Sequence, residues 1–91
     1  MKYMRVNWKH ELPSEPTCIY SEVGDGGWGL RKVEVFPGGA MGYASKWKSA
    51  GGAGLSKEPL PSLNEIAADP QFEPMMISSD EFERIWQSAT T

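Results

Sequence analysis

Among the side chains that do chemistry, this chain of 91 residues has one histidine, His10, one cysteine, Cys18, and twelve carboxylates. Nucleophilic catalysis and metal binding both need groups that converge, and no spacing here obliges His10 and Cys18, on either side of a proline-rich segment, to meet. A loop imidazole and a small buried thiol are what these residue types predict. The acids favour no acid–base pair. Glu65 follows Ser62 by three residues and Glu81 follows Ser78 by three, the spacing of a helix capping box, and Asp69 precedes the helix-stopping Pro70. The sequence therefore predicts no catalytic residue, no metal site and no cofactor.

Two glycine-rich stretches fail as phosphate cradles. Gly51-Gly52-Ala53-Gly54 runs into Ser56-Lys57 without the order of a P-loop, and Gly24, Gly26, Gly27 and Gly29 lead into a strand pattern where a dinucleotide fingerprint needs a helix. Both read as turns. The tryptophans carry more information. Trp8 and Trp86 fall on apolar faces and belong to a core, whereas Trp28 adjoins a glycine turn and Trp47 stands between Lys46 and Lys48 where periodicity ends. Exposed in their loops, these two rings would be typical binding hot spots; packed under loop 46–61 they would belong to the core, and the sequence leaves both readings open.

Charge bears on the first of these. Net charge is −3, which argues against nonspecific nucleic-acid binding. Residues 1–57 carry eight bases against five acids, and residues 58–91 carry seven acids against Arg84 alone. Helix-dipole placement accounts for Glu65, Asp80 and Glu81. Glu58, Asp69, Glu73 and Glu83 are left as a candidate negative surface for a basic protein partner.

These groups have to be positioned by an α+β domain covering residues 1–91. Met4, Val6 and Trp8 alternate with Tyr3, Arg5 and Asn7, a half-buried strand that the prolines of segment 10–16 bring to an end. Thr17 to Val23, Trp28 to Phe36 and Ala40 to Ser45 repeat the β pattern between glycine turns. The prediction is a four-stranded antiparallel meander within residues 2–45. A crossing loop follows over 46–61, and two C-terminal helices in 62–90 pack on one face of the sheet. Segment 71–76 reads as an extended tether with Phe72 turned inward. Phe82, Ile85, Trp86 and Ala89 at i, i+3, i+4 and i+7 form the stripe of the second helix. One cysteine, no apolar leader and no long apolar run predict a cytoplasmic domain outside the membrane. It is expected as a monomer, or as a weak homodimer through an exposed strand edge.

The segments Tyr20-Ser21-Glu22, Arg31-Lys32-Val33-Glu34-Val35-Phe36, Gly42-Tyr43-Ala44, Leu60-Pro61-Ser62-Leu63-Asn64-Glu65-Ile66, Asp69-Pro70-Gln71-Phe72-Glu73-Pro74 and Ile77-Ser78-Ser79-Asp80-Glu81-Phe82 together resemble a family of small bacterial single-domain proteins of unknown function. The resemblance covers nearly the whole chain, and it implies no catalytic residues. Similar small acidic proteins act as immunity partners of toxins. The expected function is thus a non-catalytic binding protein, an immunity-type inhibitor that blocks the basic active site of a toxin such as a nuclease. Its expected contacts are Trp28, Trp47, Glu58, Asp69, Glu73 and Glu83. The alternative is a small-ligand-binding or regulatory domain using the face beneath loop 46–61.

Overall fold

In the computed structural model, which describes all 91 residues, the alternating N-terminal segment forms β1 (Lys2–Trp8), the strand next to one edge of an antiparallel sheet. β2 (Cys18–Val23), β3 (Gly29–Val35) and β4 (Met41–Ser45) follow as the expected meander. Cross-strand rows are regular. Met4 lies opposite Ser21, Ser21 opposite Lys32 and Lys32 opposite Ala44, while Tyr3, Glu22, Arg31 and Ser45 make the neighbouring row on the other face.

The sheet has six strands where the sequence reading predicts four, in the order β5-β4-β3-β2-β1-β6. The tether becomes β6 (Phe72–Met76), which pairs with the free edge of β1, Trp8 opposite Phe72 and Met4 opposite Met76. Pro74 hides this strand from a period-two reading, yet an edge strand tolerates proline. The other addition is β5 (Ser49–Ala50), cut from the predicted crossing loop and paired with Tyr43 and Ala44. Glycine makes that pairing possible. Gly51 has φ +69°, and a Cβ on it would stand 2.7 Å from the Cα of Gly42.

The helices are C-terminal, as expected, but they meet different faces of the sheet. α1 (Leu63–Ala67) opens with the full capping box of Ser62 and Glu65. Its Leu63 lines a cleft shared with Met4 and Met76. α2 (Ser79–Thr90) covers the opposite face, where Phe82 meets the ring of Tyr3 at 5.4 Å and Trp86 meets Tyr43 at 5.5 Å. Ser78 caps α2 by accepting the N–H of Glu81 at 3.1 Å. The second half of that capping box does not form, because the Glu81 carboxylate reaches Arg5 at 3.3 Å. The loop ahead of α1 is tied down where the Leu60 N–H donates to the Gly27 carbonyl at 2.8 Å.

The core is correspondingly thin and two-sided. Phe82 and Val33 are fully buried on the α2 face, and Met4, Val6 and Ala44 are buried on the other. No helix is long and apolar enough to cross a membrane.

Candidate functional site

His10 and Cys18 are kept apart by their own local bonds. The Leu12 N–H donates to His10 Nδ1 at 2.9 Å, so Nε2 carries the proton and donates to the Pro16 carbonyl at 2.7 Å. With both ring nitrogens occupied and the ring edge against Trp8, the imidazole staples the β1–β2 loop. Cys18 is half-buried, and burial pushes its thiol above the ordinary range, away from the reactive thiolate. No group of three or more His, Cys, Asp or Glu side chains converges as a metal site.

The acids do not form the continuous negative surface that composition suggests. Glu83 pairs with Arg31, and Glu73 reaches Lys9 at 3.3 Å between two exposed side chains. Asp69 accepts the N–H of Gln71 at 3.0 Å, closing the turn after α1. Only Glu58 and Asp69 of the four predicted acids lack a basic partner. The chain folds its basic first half against its acidic second half, and much of the asymmetry visible in the sequence is spent inside the molecule.

The densest of these contacts surrounds Arg31. Its guanidinium donates to both oxygens of Glu22, at 2.8 and 2.9 Å, and to Glu83 on α2. It also lies over the rings of Phe82 and Trp86, at 4.9 and 5.1 Å. Hydrogen bonding to Arg31 holds the Glu22 carboxyl below its usual range against an opposing effect of burial. Burial first, then the neighbouring Glu22, raises the phenol of Tyr3. This is a structural clamp between sheet and helix, and no buried polar side-chain atom in it lacks a partner.

Among the large apolar side chains that the structure exposes are two aromatic rings. Trp47 is 85% exposed and Trp28 46%, whereas Trp8 packs on Phe72 and Trp86 packs on Tyr43 and Phe82. Pairing register brings the two exposed rings to one end of the sheet. Val23 sits opposite Gly29, just after Trp28, and Arg31 opposite Ser45, just before the β4–β5 turn that carries Trp47. The exposed Met1 and Met76 belong to the same end.

Two clefts open there. One, of about 440 Å³, runs between the Trp47 turn and α2, lined by Glu22, Leu30, Arg31, Trp47 and Trp86 with Lys46 and Lys48 beside the indole. The other, of about 730 Å³, lies between the β2–β3 turn and α1, with Met1, Met4, Val23, Leu60, Leu63 and Met76 as its apolar lining. Neither appears in a reading of single residues. Leu30 and Trp86 have ordinary core or loop signatures, and only the fold turns them toward a common space, as it does Leu60 and Leu63 in the other cleft.

Residues 2–91 match the model of the family described as a domain of unknown function, DUF6881, and the chain belongs to that family. No curated protein matches it. No solved structure matches it either.

Proposed function

We propose that this member of the family is a non-catalytic binding protein that docks a protein partner with the end of the sheet carrying Trp28 and Trp47. The observation behind this reading is the exposure of Trp47, 85% in a chain whose other large rings are packed or half-covered. Such exposure buries no apolar surface within the monomer, and an exposed indole is a characteristic interface anchor. The turn that holds it is well bonded. Ser45 Oγ accepts the N–H groups of Trp47 and Lys48, each at 3.2 Å, and the Ser45 N–H donates to the Lys48 carbonyl at 2.7 Å. A turn fixed in this way gives up little entropy on binding.

Immunity-type inhibition of a toxin with a basic active site is the specific form of this function that we favour. Its acidic contribution comes from Glu58, because Glu73 and Glu83 are engaged with Lys9 and Arg31 and Asp69 closes the turn into β6 at the opposite end of the sheet. Glu58 is suitably placed: Pro59 packs beside Gly27, one residue from Trp28. Co-expression with the protein encoded by the adjacent gene tests the proposal. A co-purifying complex and relief of that protein's toxicity are expected, and the absence of both would reject the immunity role.

The cleft of about 730 Å³ supports a second reading, a small-ligand or regulatory domain, since its size and apolar lining with Lys2, Asp25 and Glu65 at the rim suit a small organic molecule. A thermal-shift screen against nucleotides and metabolites separates the two, because a ligand that binds only the folded chain raises its melting temperature.

A further inference from the structure

The Trp47 turn has an electrostatic character of its own, opposite to that of the chain. Lys46 and Lys48 flank the indole, and neither has a carboxylate partner, while Arg5, Lys9, Arg31 and Lys32 are all ion-paired. Their ammonium groups are held near aromatic faces instead. Lys46 Nζ lies 5.1 Å from the Trp47 ring centre and Lys48 Nζ lies 5.7 Å from that of Tyr43. The cleft of about 440 Å³ beside them takes its apolar lining from Leu30, Trp47 and Trp86.

Resting on the protein-binding reading above, we propose that this cleft receives an acidic segment of the partner protein. An apolar or aromatic side chain of that segment fills the space between Trp47 and Trp86. Carboxylates on either side of the anchor meet Lys46 and Lys48. The fit is one of charge and shape together: two free cations flank one apolar slot, and the single cation inside the slot, Arg31, is already neutralised by Glu22 and Glu83.

A single-stranded nucleic acid is the competing occupant, because it too pairs aromatic stacking with positive charge. The surroundings disfavour it. Glu22 lines the cleft and with Glu83 outweighs Arg31 by one negative charge, so a phosphate backbone tracking through it would meet little net positive charge beyond the two lysines. A protein segment places its few carboxylates at the lysines alone.

The test uses the full chain labelled with ¹⁵N and three probes: a dodecapeptide of Asp and Glu around a central Phe, the same peptide with Lys for each acid, and an oligo-dT of ten nucleotides. The acidic peptide is expected to shift the indole N–H signals of Trp47 and Trp86 and the amides of residues 46–49. Its affinity should fall at least about tenfold in Trp47→Ala and in Lys46→Glu/Lys48→Glu, both exposed and harmless to folding, and should weaken with added salt. No shift at millimolar acidic peptide, equal binding of the lysine peptide, or stronger shifts with oligo-dT at the same signals would each overturn the inference. A partner recovered by co-expression distinguishes this failure from failure of the broader reading. If it is lost with Trp47→Ala but keeps its affinity with Lys46→Glu/Lys48→Glu, the docking surface stands and the acidic segment does not.

Discussion

Replacing Arg31 by methionine should weaken the fold by about 3 kcal/mol, and the size of the effect follows from what the guanidinium touches. Its side chain is 23% exposed and makes two short bonds to Glu22, whose own side chain is only 10% exposed. Removing one partner of a buried ion pair costs roughly 3–5 kcal/mol because the other charge is stranded, and partial exposure places this pair near the lower end. The contact with Glu83, 49% exposed, adds roughly 1 kcal/mol at most. Set against a total of about 5–14 kcal/mol for a chain of this length, the variant should remain folded but clearly weakened. Urea unfolding followed by tryptophan fluorescence measures the change directly. With a slope of about 1.5 kcal/mol/M, the midpoint should drop by roughly 2 M. The stranded charge is the cause to be tested, so Arg31→Met combined with Glu22→Leu should regain about 2 kcal/mol, having no unpaired carboxylate. If the double variant is as unstable as the sum of the two single ones, the explanation fails.

Other predictions follow from the same contacts. Because Arg31 holds Glu22 below the ordinary carboxylate range, the stability contributed by ionised Glu22 is complete above about pH 4.3 and is lost as pH falls through its lower folded-state value. Urea midpoints between pH 6 and pH 2 should therefore fall more steeply for the natural chain than for Glu22→Gln, and parallel curves would contradict this. Ser78→Ala removes the cap of α2 and should cost about 1 kcal/mol, a drop of roughly 4–8 °C in melting temperature. Gly51→Ala forces a Cβ against Gly42 at a positive φ, so amide exchange at Tyr43 and Ala50 should quicken by at least about tenfold while β1 and β2 stay protected.

These effects also show which parts of the molecule are legible from its residues. Alternation in β1 to β4 and the stripe of Phe82, Ile85 and Trp86 depend on local periods, and both survive folding. β6 was hidden because its pairing is supplied by a strand more than sixty residues away, and Pro74 breaks its own pattern. β5 is two residues long, and its existence rests on the close approach of Gly42 and Gly51, which no period signals. The choice of face was opaque for a different reason. Strand alternation marks Met4, Val6 and Trp8 as apolar, yet α2 packs over Tyr3, Arg31 and Tyr43, because a paired arginine and tyrosine rings present as much packing surface to a helix as aliphatic residues do.

The candidate site divides in the same way. A glycine turn beside Trp28 and lysines beside Trp47 mark both rings as lying outside the regular apolar faces, but packing under loop 46–61 was equally open from sequence, and only the fold shows them 46% and 85% exposed. The fate of the acids was not readable either, because ion pairing depends on which distant bases the sheet brings near. Glu73 and Glu83 have the same sequence character as Glu58, and only register gives them Lys9 and Arg31.

The proposed role of Trp47 is to anchor a protein partner. Titration calorimetry of a partner recovered by co-expression, against the natural chain, Trp47→Ala and Leu12→Ala, measures it most directly. Leu12 is a fair control, being 52% exposed in the β1–β2 loop at the far end of the sheet. The account predicts that Trp47→Ala weakens binding by about 30-fold or more and that Leu12→Ala leaves it unchanged. Equal affinity for the natural chain and Trp47→Ala, or an equal loss with Leu12→Ala, would contradict it.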